Sequence, residues 1–267
     1  MSELVTPSNQ LTTAPDFMGE EVGQGTEQLG NYYIPPYLKV VQKQAENALL
    51  EKFNIGDVVA IQSPNEPTLL WDSKEASEPI LFTPLFFFVE YATWLPYELK
   101  GQDSTILDRS FDPDSEVAKK SRNKATWSEQ YKDTGENVRH CEHLCFIIRI
   151  WNANFDDPCV LTFLRGSHKA GRNFANLAKS RRLQNGSVAP LYGCRYQLTT
   201  TDASNMKQQE YKVPVVDNPM SEPFVTDPNL YAQLKESHQA LKELYESKQI
   251  QVNYEEESEG EKEELRF

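Results

Sequence analysis

The chain has 267 residues, a formal charge of −13 and four cysteines without regular spacing. That length fits one large domain with appendages better than two full domains. The longest apolar run, Leu85 to Val89, is far too short to span a bilayer, which excludes a membrane helix. With irregular cysteines and no charged-then-apolar leader, the expected setting is a reducing compartment, the cytoplasm.

A charge of −13 argues against a polyanionic partner at long range, but the way it is distributed argues the other way. Residues 1–28 contribute −5 and residues 255–267 another −5, which leaves −3 for residues 29–254. Within that body, residues 119–182 hold thirteen cations against six acids, a net of +7. The chain is acidic at both ends and basic in the middle.

Residues 1–30 are polar and acidic without apolar periodicity, which predicts a disordered arm. Order is expected to begin at the cluster Tyr32-Tyr33-Ile34-Pro35-Pro36-Tyr37, followed by a short strand over 38–41 and a helical turn over 45–50. Asn54-Ile55-Gly56-Asp57 reads as a turn before a strand over 58–61. Residues 79–94 are dense in strand formers but contain Pro84, which predicts a strand with a kink or bulge. Residues 95–136 are polar, lack clear periodicity and read as a long loop insertion beside a binding surface. Strands are expected over 138–151 and 158–165, then a helix over 167–182 with Ala170, Phe174, Leu177 and Arg181 on one face and Arg172, Asn176 and Lys179 on another. An antiparallel pair follows at 191–200 and 210–216. Asp227-Pro228 then provides an N-cap and a first-turn proline for a helix running to about residue 249.

Several constellations suggest chemistry and fall short of it. Residues 166–173 carry two glycines in a strand-to-helix turn like a phosphate-cradling loop, but Arg172 and Asn173 stand where the lysine and the magnesium-binding hydroxyl are required. Free amides at that turn, near Lys169 and Arg172, still suit a phosphate of a polymer. Along a strand, Cys141, His143 and Cys145 would lie in line about 7 Å apart, a poor start for a zinc tetrahedron. Asp108, Asp112, Asp114 and Glu116 crowd a loop that lacks the glycine of a calcium site. Glu98-Leu99-Lys100 matches the spacing of a nuclease metal motif but follows Pro96 instead of lying in a strand. No cofactor, no metal and no catalysis are expected.

The aromatic pattern is more informative. Trp94, Trp127 and Tyr131 lie among Lys and Arg residues, and rings interleaved with cations are what sequence-tolerant single-strand binding requires. The candidate DNA-binding set is Trp94, Lys119, Lys120, Arg122, Lys124, Trp127, Tyr131, Arg139, Arg165, Lys169, Arg172 and Lys179. The tail, residues 255–267, carries seven glutamates and ends in Phe267. A flexible segment of that length reaches at most roughly 45 Å, enough to compete for a basic groove at high effective concentration. Released by DNA, Glu261, Glu263, Glu264 and Phe267 would be offered to a partner's apolar pocket rimmed by cations.

In this combination the chain resembles the single-stranded DNA-binding proteins of replication, the podovirus-type phage proteins in particular. The sharp motif of the resemblance is the tail Glu255 to Phe267, although Arg266 stands where those proteins carry an acid. The resemblance implies a mainly β fold with minor α: an OB-like antiparallel barrel over 31–225 with a long loop insertion and one internal helix. A C-terminal helix over 226–250 and a disordered tail over 251–267 would complete it. It further implies non-specific binding of single strands in replication or recombination, recruitment of polymerase and primase-helicase through the tail, and residence in the host cytoplasm. A homodimer is a possible form. Two rivals are a protein-interaction adaptor without DNA affinity and a metal-dependent nuclease using the acids of 98–116.

Overall fold

A computed structural model describes residues 35–96, 106–247 and 250, apart from 44, 46, 63–65, 76–77, 154, 156, 205–207 and 209 and the side chains of 47 and 165. The chain divides into compact units Met1–Tyr33 and Ile34–Phe267, and every described residue belongs to the second. Its elements are β1 (Tyr37–Val40), α1 (Asn47–Lys52), β2 (Val58–Ile61), β3 (Thr68–Trp71), β4 (Ile80–Trp94), β5 (Ile106–Ser110), α2 (Glu116–Arg122), β6 (Arg139–Ile150), β7 (Cys159–Phe163), α3 (His168–Ser180), β8 (Tyr196–Ser204), β9 (Glu210–Asp217) and α4 (Pro228–Glu246). The fold is mainly β: one strongly curled half-barrel sheet of order β3-β2-β1-β7-β6-β4-β8-β9, with β5 pairing the far end of β4.

The spine is the antiparallel pair β4–β6, in register from Phe82 opposite Ile150 to Trp94 opposite Arg139. Pro84 lacks an N–H for the ladder, and the register slips between Pro84 and Phe86, so Leu85 is an extra residue in the strand. The bulge expected from the proline is therefore present, and it changes which residues face which side. Ahead of it Ile80 and Phe82 join the inner core with Leu144, Phe146, Ile148 and Ile150 of β6. Beyond it Leu85, Phe86 and Phe88 face the opposite side, with Cys145 and Ile147. His238 on α4 donates from Nδ1 to the Leu85 carbonyl at 2.7 Å, so the bulge is fastened to the helix that covers it.

The inner core draws Leu38, Val58, Phe82, Phe146, Leu161 and Leu198 from six different strands, which marks it as the concave side of the curl. α3 plugs that concavity. Its Phe174 is fully buried, with ring centroids 4.4 Å from Phe146, 5.0 Å from Tyr196 and 5.8 Å from Phe82. A Cβ on Gly171 would sit 2.6 Å from Phe163 Cβ, so the helix lies closer to β7 than any larger residue permits. On the convex side α4 buries Leu234, with Leu230, Leu241 and Tyr245 packed beside it, and α1 covers Val41, Val59 and Ile61 with Leu49. Asp227 caps α4 by accepting from Asn229 N and Leu230 N, as its sequence predicts.

Side chains bridge a seam between the β8–β9 hairpin and the segment that joins β1 to β2. Gln42 Nε2 donates to Lys212 O at 2.8 Å and Gln42 Oε1 accepts from Lys212 N at 2.9 Å, the paired exchange that a ladder residue would make. Thr200 Oγ1 donates to Gly56 O at 2.9 Å across the same gap. A cavity of about 310 Å³ runs along it, lined by Tyr37, Lys39, Gly166, Tyr211 and Lys212 among others. No helix among the described residues is long and apolar enough to cross a membrane.

Candidate nucleic-acid interface

Successive inward residues of β6, about 6.8 Å apart along the strand, meet the insertion first and then α3. His140 Nε2 contacts Glu129 Oε2 at 3.2 Å, Glu142 pairs with Arg122 at the end of α2, Leu144 lies under Gly171, and Phe146 packs on Phe174. The insertion and α3 thus lie on one face of the sheet. The segment 95–136, read as a long loop insertion, carries regular elements: its described part forms β5, α2 and a 3-10 turn over Lys124–Ser128. Ser115 starts α2 by accepting from Ala118 N, and Asp112 Oδ1 accepts from Asp114 N, so these acid-rich residues shape the turn into the helix.

The expected DNA-binding cations separate into two groups. In the insertion, Lys119 pairs with Glu116 at 2.6 Å, Lys120 with Glu129 at 2.8 Å and Arg122 with Glu142 at 3.2 Å. Arg122 also stacks 4.8 Å from the Tyr91 ring centroid and bonds its hydroxyl. The hydrogen bond from Lys119 holds Glu116 below the ordinary carboxylate range, and the one from Lys120 does the same for Glu129, outweighing burial. These three cations, expected as phosphate contacts, are each paired with a nearby acid. Arg139 donates to the Leu95 carbonyl at 2.7 Å and is half-buried. Lys124 is exposed and has no acid partner among the described residues.

On α3 the balance differs. Lys169, Arg172 and Lys179 are exposed, and no acid pairs with them among the described residues. At spacings of three and seven residues they form one stripe, about 15 Å long, opposite the buried Phe174. The cause lies in composition: residues 158–201 contain seven cations and no Asp or Glu. His168, at the first turn, adds no charge at neutral pH. Burial, and then the charge of Arg172, hold it below the ordinary histidine value. Arg165 lies in the 3-10 turn that leads into α3, and its side chain is outside the described residues.

Trp94 does not offer a stacking face. It is 5% exposed, and its Nε1–H donates to His143 Nε2 at 3.1 Å. His143 Nδ1 in turn bonds Glu90 Oε2 at 2.8 Å, and Arg109 pairs with the other Glu90 oxygen. Because the indole can only donate, Nε2 is the acceptor and Nδ1 carries the proton. The bulge at Leu85 puts Glu90 on the same outward face as His143, and this row was invisible to sequence reading. With both His143 nitrogens engaged and Cys145 buried under α4, the Cys141, His143 and Cys145 row is part of the packing. Both glycines of 166–173 also have packing reasons: a Cβ on Gly166 would lie 2.8 Å from the Tyr211 ring.

Trp127 is the ring that remains available, 54% exposed in the 3-10 turn. Tyr131 is half-buried, with Lys132 Nζ 4.9 Å from its centroid. Trp151 packs as a core-side ring between Arg149 at 5.1 Å and Arg195 at 5.9 Å, its Nε1–H donating to Thr83. Glu261, Glu263, Glu264 and Phe267 lie outside the described residues. Sequence reading counted Arg182 among the cations but missed the small hairpin it begins, where its guanidinium donates to the Lys179 and Arg181 carbonyls at the end of α3. The Asn185-Gly186 dipeptide was the signal that could have found it.

Fold and surface together define a curled-sheet β protein with a helix plugging its concavity and, on that helix, a cationic stripe without acid partners among the described residues. Residues 7–246 match the family described as Pam3 phage gp34-like protein, and the chain belongs to that family. No curated protein matches it, and no solved structure does.

Proposed function

We propose that this protein binds single-stranded DNA without sequence preference, as a non-catalytic component of phage DNA replication or recombination in the host cytoplasm. The observation that carries the reading is the stripe Lys169, Arg172 and Lys179, free of acid partners among the described residues in a chain of charge −13. Cations held without counter-charge on a rigid helix stay solvated until they neutralise phosphates of a polyanion, whose condensed counterions then pass into solvent. Trp127, beside Lys124, supplies an exposed ring for a base. The curled sheet, bridged at its seam by Gln42, is read as an OB-like barrel with α3 as its plug. The acidic tail ending in Phe267 competes for the stripe, and DNA displaces it to recruit replication partners.

The test is a fluorescence titration of the full chain with oligo-dT at several salt concentrations. Three phosphate contacts give a slope of log affinity against log salt of about −2. The double variant Arg172→Glu, Lys179→Glu should bind more weakly and with a shallower slope, and truncation after residue 254 should tighten binding. Salt-independent affinity, or none at low salt, would sink the reading and favour a protein-interaction adaptor.

A further inference from the structure

The segment after α3 leaves the body of the protein as a small hairpin, and every residue from Arg182 to Val188 is exposed. It is nonetheless well built. Arg182 bridges Val188, Leu183 N donates to Ser187 O at 2.9 Å, Gly186 N to Leu183 O at 2.9 Å, and Ala189 N to Arg181 O at 3.0 Å. Ser187 N donates to Asn185 Oδ1 at 3.0 Å, and Gly186, at φ +81°, takes the left-handed position that the turn requires. Its root is fixed by Ala189, which is buried, and by Arg181, whose guanidinium lies 5.6 Å from both the Tyr196 and Phe224 rings.

Among the described residues, the two aliphatic residues of this hairpin stay exposed, Leu183 at 42% and Val188 at 54%. Val188 is directly opposite Arg182 and Leu183 is opposite Ser187, so alternation puts Val188 and Leu183 on opposite faces of the hairpin. A docking strip for a protein surface would gather its apolar residues on one face. One aliphatic residue on each face, with Arg182 beside Val188, on an element joined to the Lys179 end of a cationic stripe and within an acid-free run, suits insertion between two flat apolar rings of a polyanion.

The geometry points to the hairpin 182–188 as a finger that inserts between neighbouring bases of single-stranded nucleic acid while α3 holds the phosphates. This rests on the single-strand reading above. The test uses the full chain and an oligonucleotide with 2-aminopurine stacked among adenines. Wild-type protein should raise the 2-aminopurine fluorescence as the stack opens. Leu183→Ser with Val188→Ser, both at exposed positions, should keep the thermal midpoint, lose about tenfold in affinity and abolish the rise without altering the salt slope. Arg172→Glu should alter the slope instead. Unchanged affinity or a retained rise in the double variant, or binding by the wild type without a rise, overturns the finger. No binding by the wild type sinks the single-strand reading itself.

Discussion

Glu90 shows how far one side chain's meaning depends on its partners. It is fully buried, and its two oxygens are taken by His143 and Arg109, so its charge is compensated where water is excluded. Truncating it would leave His143 Nδ1–H without its acceptor and Arg109 without its counter-charge. Because Arg109 is partly exposed, its share of the loss is screened. Glu90→Ala should therefore destabilise the protein by about 3 kcal/mol in urea unfolding, at the low end for a broken buried pair. A loss below about 1 kcal/mol would mean that water enters the site and replaces the carboxylate. Trp94, locked to the same row, should then gain exposure to a soluble quencher.

Among the secondary elements, the insertion is held by ion pairs and α3 by rings, and the two should respond differently to acid. The hydrogen bond from Lys120, opposed by burial, puts the folded Glu129 carboxyl below its ordinary value. A depressed carboxylate stabilises above the unfolded pKa, and that contribution is lost as pH falls through the folded pKa. Acidification below the ordinary carboxylate range should therefore release the 3-10 turn first, read as a change in Trp127 emission before the global unfolding transition. Glu129→Gln should remove that early step. If the step persists in Glu129→Gln, the turn is held by something other than this carboxylate.

For the molecule as a unit, the decisive feature is that its half-barrel sheet curls far enough to bring β9 against the segment after β1. Gln42 supplies both halves of a ladder exchange with Lys212, residues far apart in sequence. Gln42→Leu would strand a backbone N–H and carbonyl at the seam, at a cost of about 1 to 3 kcal/mol. Faster amide exchange at Lys212 should follow, and unaltered exchange would show that the seam closes without it. The seam lies beside Tyr211, which packs on Gly166 at the entry to α3, so its opening would also loosen the base of the cationic helix.

Local signals were legible in the amino-acid order. Pro84 announced the bulge, Asp227 the start of α4, and the spacing of Ala170, Phe174 and Leu177 the buried face of α3 with Arg172 and Lys179 opposite. Each depends on neighbours within a turn or a strand, where backbone chemistry and periodicity act. The ordered elements of the insertion were less legible because α2 is short, with packing on β4 and β6 to support it. What composition could not decide was which cations are free. Lys120 finds Glu129 nine residues away, Arg122 finds Glu142 twenty away, and Trp94 finds His143 forty-nine away. Those pairings exist only once β4 and β6 are in register and the insertion lies on them. Charge is written residue by residue, but its neutralisation depends on distance in space, and the fold alone sets that distance.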